Sequence, residues 1–267
     1  MISRPETRLA LLGALVLTLI CAATACKDKS STANPPTELT VAAAADLTPP
    51  FEEIGREFQS SYKIKVTFVF GSTGMLTRQI ENGAPFDLFA AANVGYIDQL
   101  EQKGLIVPGT KAIYGRGRIT LWTPAESTLR LENISDLARP EVTRIAIANP
   151  DHAPYGLAAR QALESAGIWE AVKPKLVYGD NIRQTLQYAE TGNVEVAIVA
   201  LSLSMQTNGR WSLIPEELYQ PLDQALAIMK STKNEQAARA FAAFVTGPQG
   251  RAVLQKYGFT FVNLSMT

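Results

Sequence analysis

Short apolar stretches alternate with amphipathic ones along almost the whole chain from Leu39 onward, and this alternation limits the fold more than any other feature. Residues 39–44, 65–70, 87–91, 119–122, 144–148, 194–200 and 224–230 are β-rich, by apolar runs or by period-two alternation such as Val66-Thr67-Phe68-Val69-Phe70. Between and after them lie segments of helical spacing at 51–58, 75–82, 94–103, 156–166, 182–191, 234–245 and 248–257. Gly104 and Gly167 follow two of these as stop signals. Strands that alternate with helices predict an α/β fold with mixed, mostly parallel sheets and helices on both faces.

Three turns share one design, in which a strand runs into small or polar residues and a helix begins. They are Ala43-Ala44-Ala45-Asp46, Gly71-Ser72-Thr73-Gly74 and Ala153-Pro154-Tyr155-Gly156; Gly179-Asp180-Asn181-Ile182 also precedes a helix. The first amides of a helix have no intrahelical acceptor and sit at the positive end of the helix dipole, so such a turn attracts anions. Ligands of open α/β sheets bind beyond the carboxyl ends of the strands. Any one of these turns reads equally well as ordinary N-capping by Ser, Thr or Asp, and Thr48-Pro49-Pro50 fits a cap followed by Pro in the first helical turn. Several turns converging would form an anion pocket without Lys or Arg.

The formal net charge of zero gives no basic excess, which argues against a nucleic-acid partner. His152 is the single histidine, and no His/Cys cluster suits zinc. No Gly-x-Ser-x-Gly is present, and no neighbouring motif supports a triad on His152, so an enzyme is not expected and no cofactor is implied. Trp122, Trp169 and Trp211 read as packing residues. Asp87 is expected to start a strand at the cleft rim and hold a loop, and Arg78 and Arg116 are candidate rim contacts.

The N-terminus reads separately from the fold. Arg4 and Arg8 precede an apolar run of about 17 residues, the lower limit for a membrane span. The run ends in small residues, the layout of a secretory signal over residues 1–25. The only cysteines are Cys21 and Cys26. Cys26 follows Ala23-Thr24-Ala25 in a stretch that resembles a bacterial lipobox, with Ala23 where Leu is usual. Lipidation at Cys26, a flexible tether over 26–38 and membrane attachment through the lipid are the expectations, on the periplasmic side or at the cell surface, with plain signal cleavage or a retained membrane helix as the alternatives. Loss of Arg4, Arg8 and Glu6 would leave a net charge of −1.

Four segments carry a family resemblance: TVAAAADLTPPFEEI (40–54), FGSTGMLTRQIENGAPFDLF (70–89), NPDHAPYG (149–156) and GPQGRAVLQKYGFT (247–260). In order and spacing they resemble the periplasmic molybdate-binding proteins of ABC transporters. The resemblance implies a two-lobed periplasmic binding protein with two hinge crossings, near 114–120 and 220–226. Lobe one would comprise 39–117 and 226–267, and lobe two 118–225. It also implies molybdate or tungstate as ligand, an ABC permease as membrane partner and a monomer in solution. The ligand-binding positions carried over are Asp46, or Ala45 under a different gap, then Thr73 with Ser72 beside it, Tyr155 and Ile182. Two departures stand out. Asp46 occupies a position where Ser is common, so its carboxylate would cap the helix, be protonated, or signal another oxyanion or an organic solute. Ala200 stands where some relatives place a tyrosine hydroxyl; the loss of that donor would weaken binding or be made good by Tyr155.

Overall fold

The structure, a computed structural model, describes residues 38–261. The signal segment, Cys26 and the tether up to residue 37 lie outside the described residues. In chain order the elements are β1 (Glu38–Ala44), α1 (Thr48–Tyr62), β2 (Lys65–Gly71), α2 (Thr73–Glu81), β3 (Leu88–Ala91), α3 (Val94–Gln102), β4 (Ala112–Gly117), β5 (Ile119–Pro124), β6 (Ile145–Ala148), α4 (Pro154–Ser165), α5 (Trp169–Val172), β7 (Leu176–Gly179), α6 (Ile182–Glu190), β8 (Val196–Ala200), α7 (Leu201–Ser204), β9 (Gly209–Leu213), β10 (Leu222–Ile228), α8 (Glu235–Thr246) and α9 (Pro248–Lys256).

Two five-stranded sheets form, ordered β2-β1-β3-β10-β4 and β7-β6-β8-β5-β9. In the first, β1 runs parallel to β2 and β3, and β10 lies antiparallel between β3 and β4. The second repeats the plan, with β6 parallel to β7 and β8, and β5 antiparallel between β8 and β9. The antiparallel strand of each sheet is the one that has just crossed from the other, β5 after β4 and β10 after β9. The sheets are therefore mixed in equal parts, where the β-α-β alternation by itself points to a parallel majority.

The first crossing is abrupt, with only Arg118 between β4 and β5. On the return, Leu222 already pairs with Gly117, so the chain is back in the first sheet four residues before the boundary expected at 226. Thr260 then bridges to Arg116 and holds the C-terminal segment on the first sheet.

Residue alternation explains how the first sheet is covered on both faces. Val41, Ala43, Leu88 and Ala90 belong to the large core, which continues into the second lobe. Ala42, Phe89 and Ala91 face a smaller core closed by Leu76, Ile80, Ile97 and Leu100 from α2 and α3. Between α1 and α8 the large core is aromatic. Phe241 meets Phe58 edge-on at 5.1 Å and Phe51 at 6.1 Å between ring centroids. Phe241 is fully buried. Phe241→Ala should therefore cost about 3–5 kcal/mol through lost burial and a cavity, read as a lowered midpoint in urea unfolding followed by circular dichroism.

Candidate functional site

Four helix starts meet where the two sheets face each other. β1 ends at Ala44 and turns through Ala45-Asp46-Leu47 into α1, and β2 ends at Gly71 and passes through Ser72 into α2. From the other lobe, β6 leads into α4 at Pro154, and β7 leads through Asn181 into α6 at Ile182. Ser72 caps α2 by accepting from the Met75 amide at 3.4 Å, and Asn181 caps α6 by accepting from Arg183 and Gln184. Gly156 permits the close seating of α4 on β6, because a Cβ there would lie 2.0 Å from the Ala148 carbonyl oxygen.

Ala45, Asp46, Ser72, Thr73, Tyr155 and Ile182 all line one small hollow between the sheets. A larger hollow beside Leu129, Arg130 and Trp211 has no helix start in its wall. The amides of Thr73, Tyr155 and Ile182 lie in the first turns of α2, α4 and α6, and that of Ala45 opens the 3-10 turn that leads into α1, so none has an intrahelical acceptor. None of the four donates to another acceptor among the described residues. Thr73 Oγ1 accepts from the Ala92 amide at 3.0 Å, and its own hydrogen is left to donate. The wall is thus rich in donors, and it gains further positive potential from the helix dipoles.

Hydrogen bonds between the lobes close the cleft. The Gly74 amide donates to the His152 carbonyl at 2.8 Å, and Ser72 Oγ lies 2.8 Å from His152 Nδ1. Ser202 Oγ donates to the Asp46 carbonyl at 2.8 Å. The Ser72–His152 pair has the spacing of a nucleophile and its base. No carboxylate bonds to His152 among the described residues, and the pair ties one lobe to the other.

Asp46 does not cap α1. Its carboxylate is fully buried, and Oδ2 accepts from Tyr155 Oη at 2.9 Å and from Gln224 Nε2 at 2.8 Å. Gln224 Nε2 also donates to Tyr155 Oη at 3.0 Å, and Gln224 Oε1 accepts from Tyr114 Oη at 2.7 Å. Burial lifts the Asp46 carboxyl from its usual 3.8 to about 6 against the opposing pull of the Gln224 and Tyr155 bonds. The nearby amide of Asp46 itself opposes it least, and no donor is aligned on Oδ1. Burial, and next the Asp46 charge, push both tyrosines well above 10. The Tyr155 hydroxyl is therefore committed to Asp46 and does not stand in for a hydroxyl at Ala200.

Other expectations also move. Thr48 donates its hydroxyl to the Ala45 carbonyl at 2.9 Å and is the first residue of α1, with Leu47 as N-cap. Asp87 does hold a loop, but at the opposite ends of the strands. Its carboxylate accepts from the Thr40 amide at the start of β1 and from Thr232 Oγ1 ahead of α8. Arg116 is paired with Asp223 on the neighbouring strand at 2.7 Å, and Arg78 is exposed on α2. Trp122 is buried and donates to Thr207 Oγ1. The residues that sequence reasoning passed over are Gln224, Tyr114 and Ser202. A glutamine inside the apolar run of β10 was the one visible signal.

Two lobes of this topology, with helix starts converging on the cleft between them, define a class of solute-binding proteins. Residues 39–260 match the sequence profile of the family described as bacterial extracellular solute-binding protein, and the chain belongs to that family. It is 37% identical to the molybdate-binding protein ModA of Azotobacter vinelandii, over 83% of this chain and 89% of that one. It is 34% identical to ModA of Rhodobacter capsulatus, over 83% of this chain and 88% of that one. The solved periplasmic molybdate-binding protein of A. vinelandii superposes with a TM-score of 0.79 at 28% identity, covering 84% of this chain and all of the other.

The raised Asp46 carboxyl carries a stability consequence whose sign follows from linkage. The folded state holds this proton more tightly than the unfolded state, so ionising Asp46 destabilises the fold. The contribution is full below the ordinary value near 3.8 and is lost as pH rises to about 6. Relative to wild type, Asp46→Asn should gain stability across that window, by about 3 kcal/mol in total, measured by urea unfolding of both proteins at pH 4 and pH 7.5.

Proposed function

We propose that this chain captures molybdate or tungstate outside the cytoplasmic membrane and delivers it to an ABC permease. The observation that carries this reading is the convergence of four helix starts, two from each lobe, on one small hollow. A fully deprotonated tetrahedral oxyanion offers only acceptors. Amides at helix starts offer only donors, and the dipoles add favourable potential. Hydrogen phosphate, which brings a hydrogen of its own, fits a donor-lined wall less well because that hydrogen needs a protein acceptor. The relatives whose names specify molybdate support the same choice.

The closed cleft is the form that carries the anion, and rotation about the two crossings opens it. In this reading Ala45, Thr73, Tyr155 and Ile182 donate backbone N–H groups, with Asp46 and Ser72 beside them. Residues 1–25 direct export, Cys26 takes the lipid, and the segment to residue 38 tethers a monomeric binding domain near its permease.

Isothermal titration tests the ligand. Molybdate and tungstate should bind one per chain below roughly 10 μM, with sulfate and phosphate at least tenfold weaker; no binding of the first two below that level rejects the proposal. The closing contact at Gly74 has its own test. A Cβ there would lie 2.7 Å from the His152 carbonyl oxygen, so Gly74→Ala should weaken molybdate binding roughly tenfold or more, equivalent to about 1.4 kcal/mol, while the urea midpoint changes little.

A further inference from the structure

We propose that Asp46 sits in the loaded cleft as a neutral carboxylic acid with its proton on Oδ1, so that the protein takes up one proton with each oxyanion dianion it binds. The inference rests on the proposed function and adds to it a residue that sets the pH range of binding.

The geometry supplies the argument. Asp46 is fully buried and lines the same hollow as the free amides of Thr73 and Tyr155. Its two oxygens are not equivalent. Oδ2 accepts two hydrogen bonds, from Tyr155 and Gln224, while Oδ1 is buried without a partner among the described residues. An ionised carboxylate that is itself shielded from water, has one bare oxygen and lies beside a dianion combines a desolvated charge with like-charge repulsion. A proton on Oδ1 removes both penalties. It keeps the two bonds to Oδ2.

No counter-charge does the same work. The groups that face Asp46 are Tyr155 from α4, Tyr114 from β4 by way of Gln224, Gln224 from β10, Ser202 from α7, and Ile182 from α6 across the hollow. The two tyrosines are the titratable ones among these, and burial keeps both neutral. His152 bonds Ser72 on the neighbouring turn and not Asp46. No Lys, Arg or His forms an ion pair with Asp46 among the described residues. Burial has already lifted this carboxyl to about 6, so a neighbouring dianion needs to raise it little further to complete its protonation near neutral pH.

The balance is simple: the dianion enters, one proton passes from solvent to Asp46 Oδ1, and no covalent bond of the ligand changes. Titration of wild-type protein with sodium molybdate, in buffers of different ionisation enthalpy, counts the proton directly. Close to one proton per anion is expected at pH 7.5, and the dissociation constant should rise about tenfold per pH unit from pH 7 to 8.5. Asp46→Asn keeps the shape and the neutral state. It should take up no proton, bind with the same constant from pH 6.5 to 8.5, and exceed wild type in affinity at the upper end. Asp46→Ser provides the same two readouts if the Asn variant fails to fold. Molybdate binding by wild type with no proton uptake and a pH-independent constant overturns the coupling and leaves the proposed function standing. Proton uptake that persists in the variants, or loss of binding in a variant whose circular dichroism is native, overturns it as well. No molybdate binding by wild type at any pH overturns the proposed function itself.

Discussion

One carboxylate is hydrogen-bonded from both lobes at once. Asp46 stands on the first turn of lobe one, and its Oδ2 accepts from Tyr155 of lobe two and from Gln224 on the strand that has just returned to lobe one. Gln224 in turn bonds Tyr155 and Tyr114, so the first turn, the α4 start and both strands of the β4–β10 pair share one buried polar network. Networks of this kind fix a geometry when every member is satisfied, because each lost bond leaves a buried group unpaired. Here every named member but one is satisfied. The exception is Asp46 Oδ1, and it lies on the residue that lines the hollow.

The topology explains why the network lies at the cleft. Each sheet takes its fourth strand from the other lobe, so the strands that cross also build the lobes. β4 and β10 lie side by side, and Arg116 and Asp223 pair across them near the crossing. The parallel strands β1, β2, β6 and β7 all end toward the cleft and release helices there. Four unpaired helix starts are thereby gathered from segments far apart in sequence, without a single lysine or arginine in the wall. A chain of zero formal net charge can hold an anion in this way, since the partial charges come from the backbone.

Much of this was legible in the residues. The β-rich and helical segments fall where periodicity put them, and the six candidate positions come together in one hollow. Three strands gave no readable pattern: β4, β7 and β9. All three are sheet edges, and half-exposed edges with residues such as Arg210 and Ser212 lack the continuous apolar run of a central strand. The edge strand β2 was readable because its residues alternate. The role of Asp46 was not legible for a different reason. Capping is a local property that a short stretch of sequence can suggest, whereas the bonds it makes reach Tyr155 and Gln224, more than a hundred residues away. Ser202 escaped notice, and the bond of His152 to Ser72 was not legible, for the same reason.

The bonds that cross the cleft also indicate how binding and closure are coupled. Apart from the bond to the Asp46 carboxylate, Gly74, Ser72 and Ser202 each make one hydrogen bond to the facing lobe, and Gln224 makes one to Tyr155. Such bonds contribute on the order of 0.5–1.5 kcal/mol each net of their exchange with water. Their sum of a few kcal/mol favours the closed form without locking it. A ligand shifts this balance only by binding one form better than the other. The amides of Ala45 and Thr73 belong to lobe one and those of Tyr155 and Ile182 to lobe two, so in the proposed function the anion would reach both pairs only when the lobes meet. Charge-assisted bonds are about twice as strong as neutral ones. In the proposed function, two of them gained on closure add about as much as the neutral cross-lobe hydrogen bonds together, so the anion strengthens a closure that those bonds and the shared core already favour.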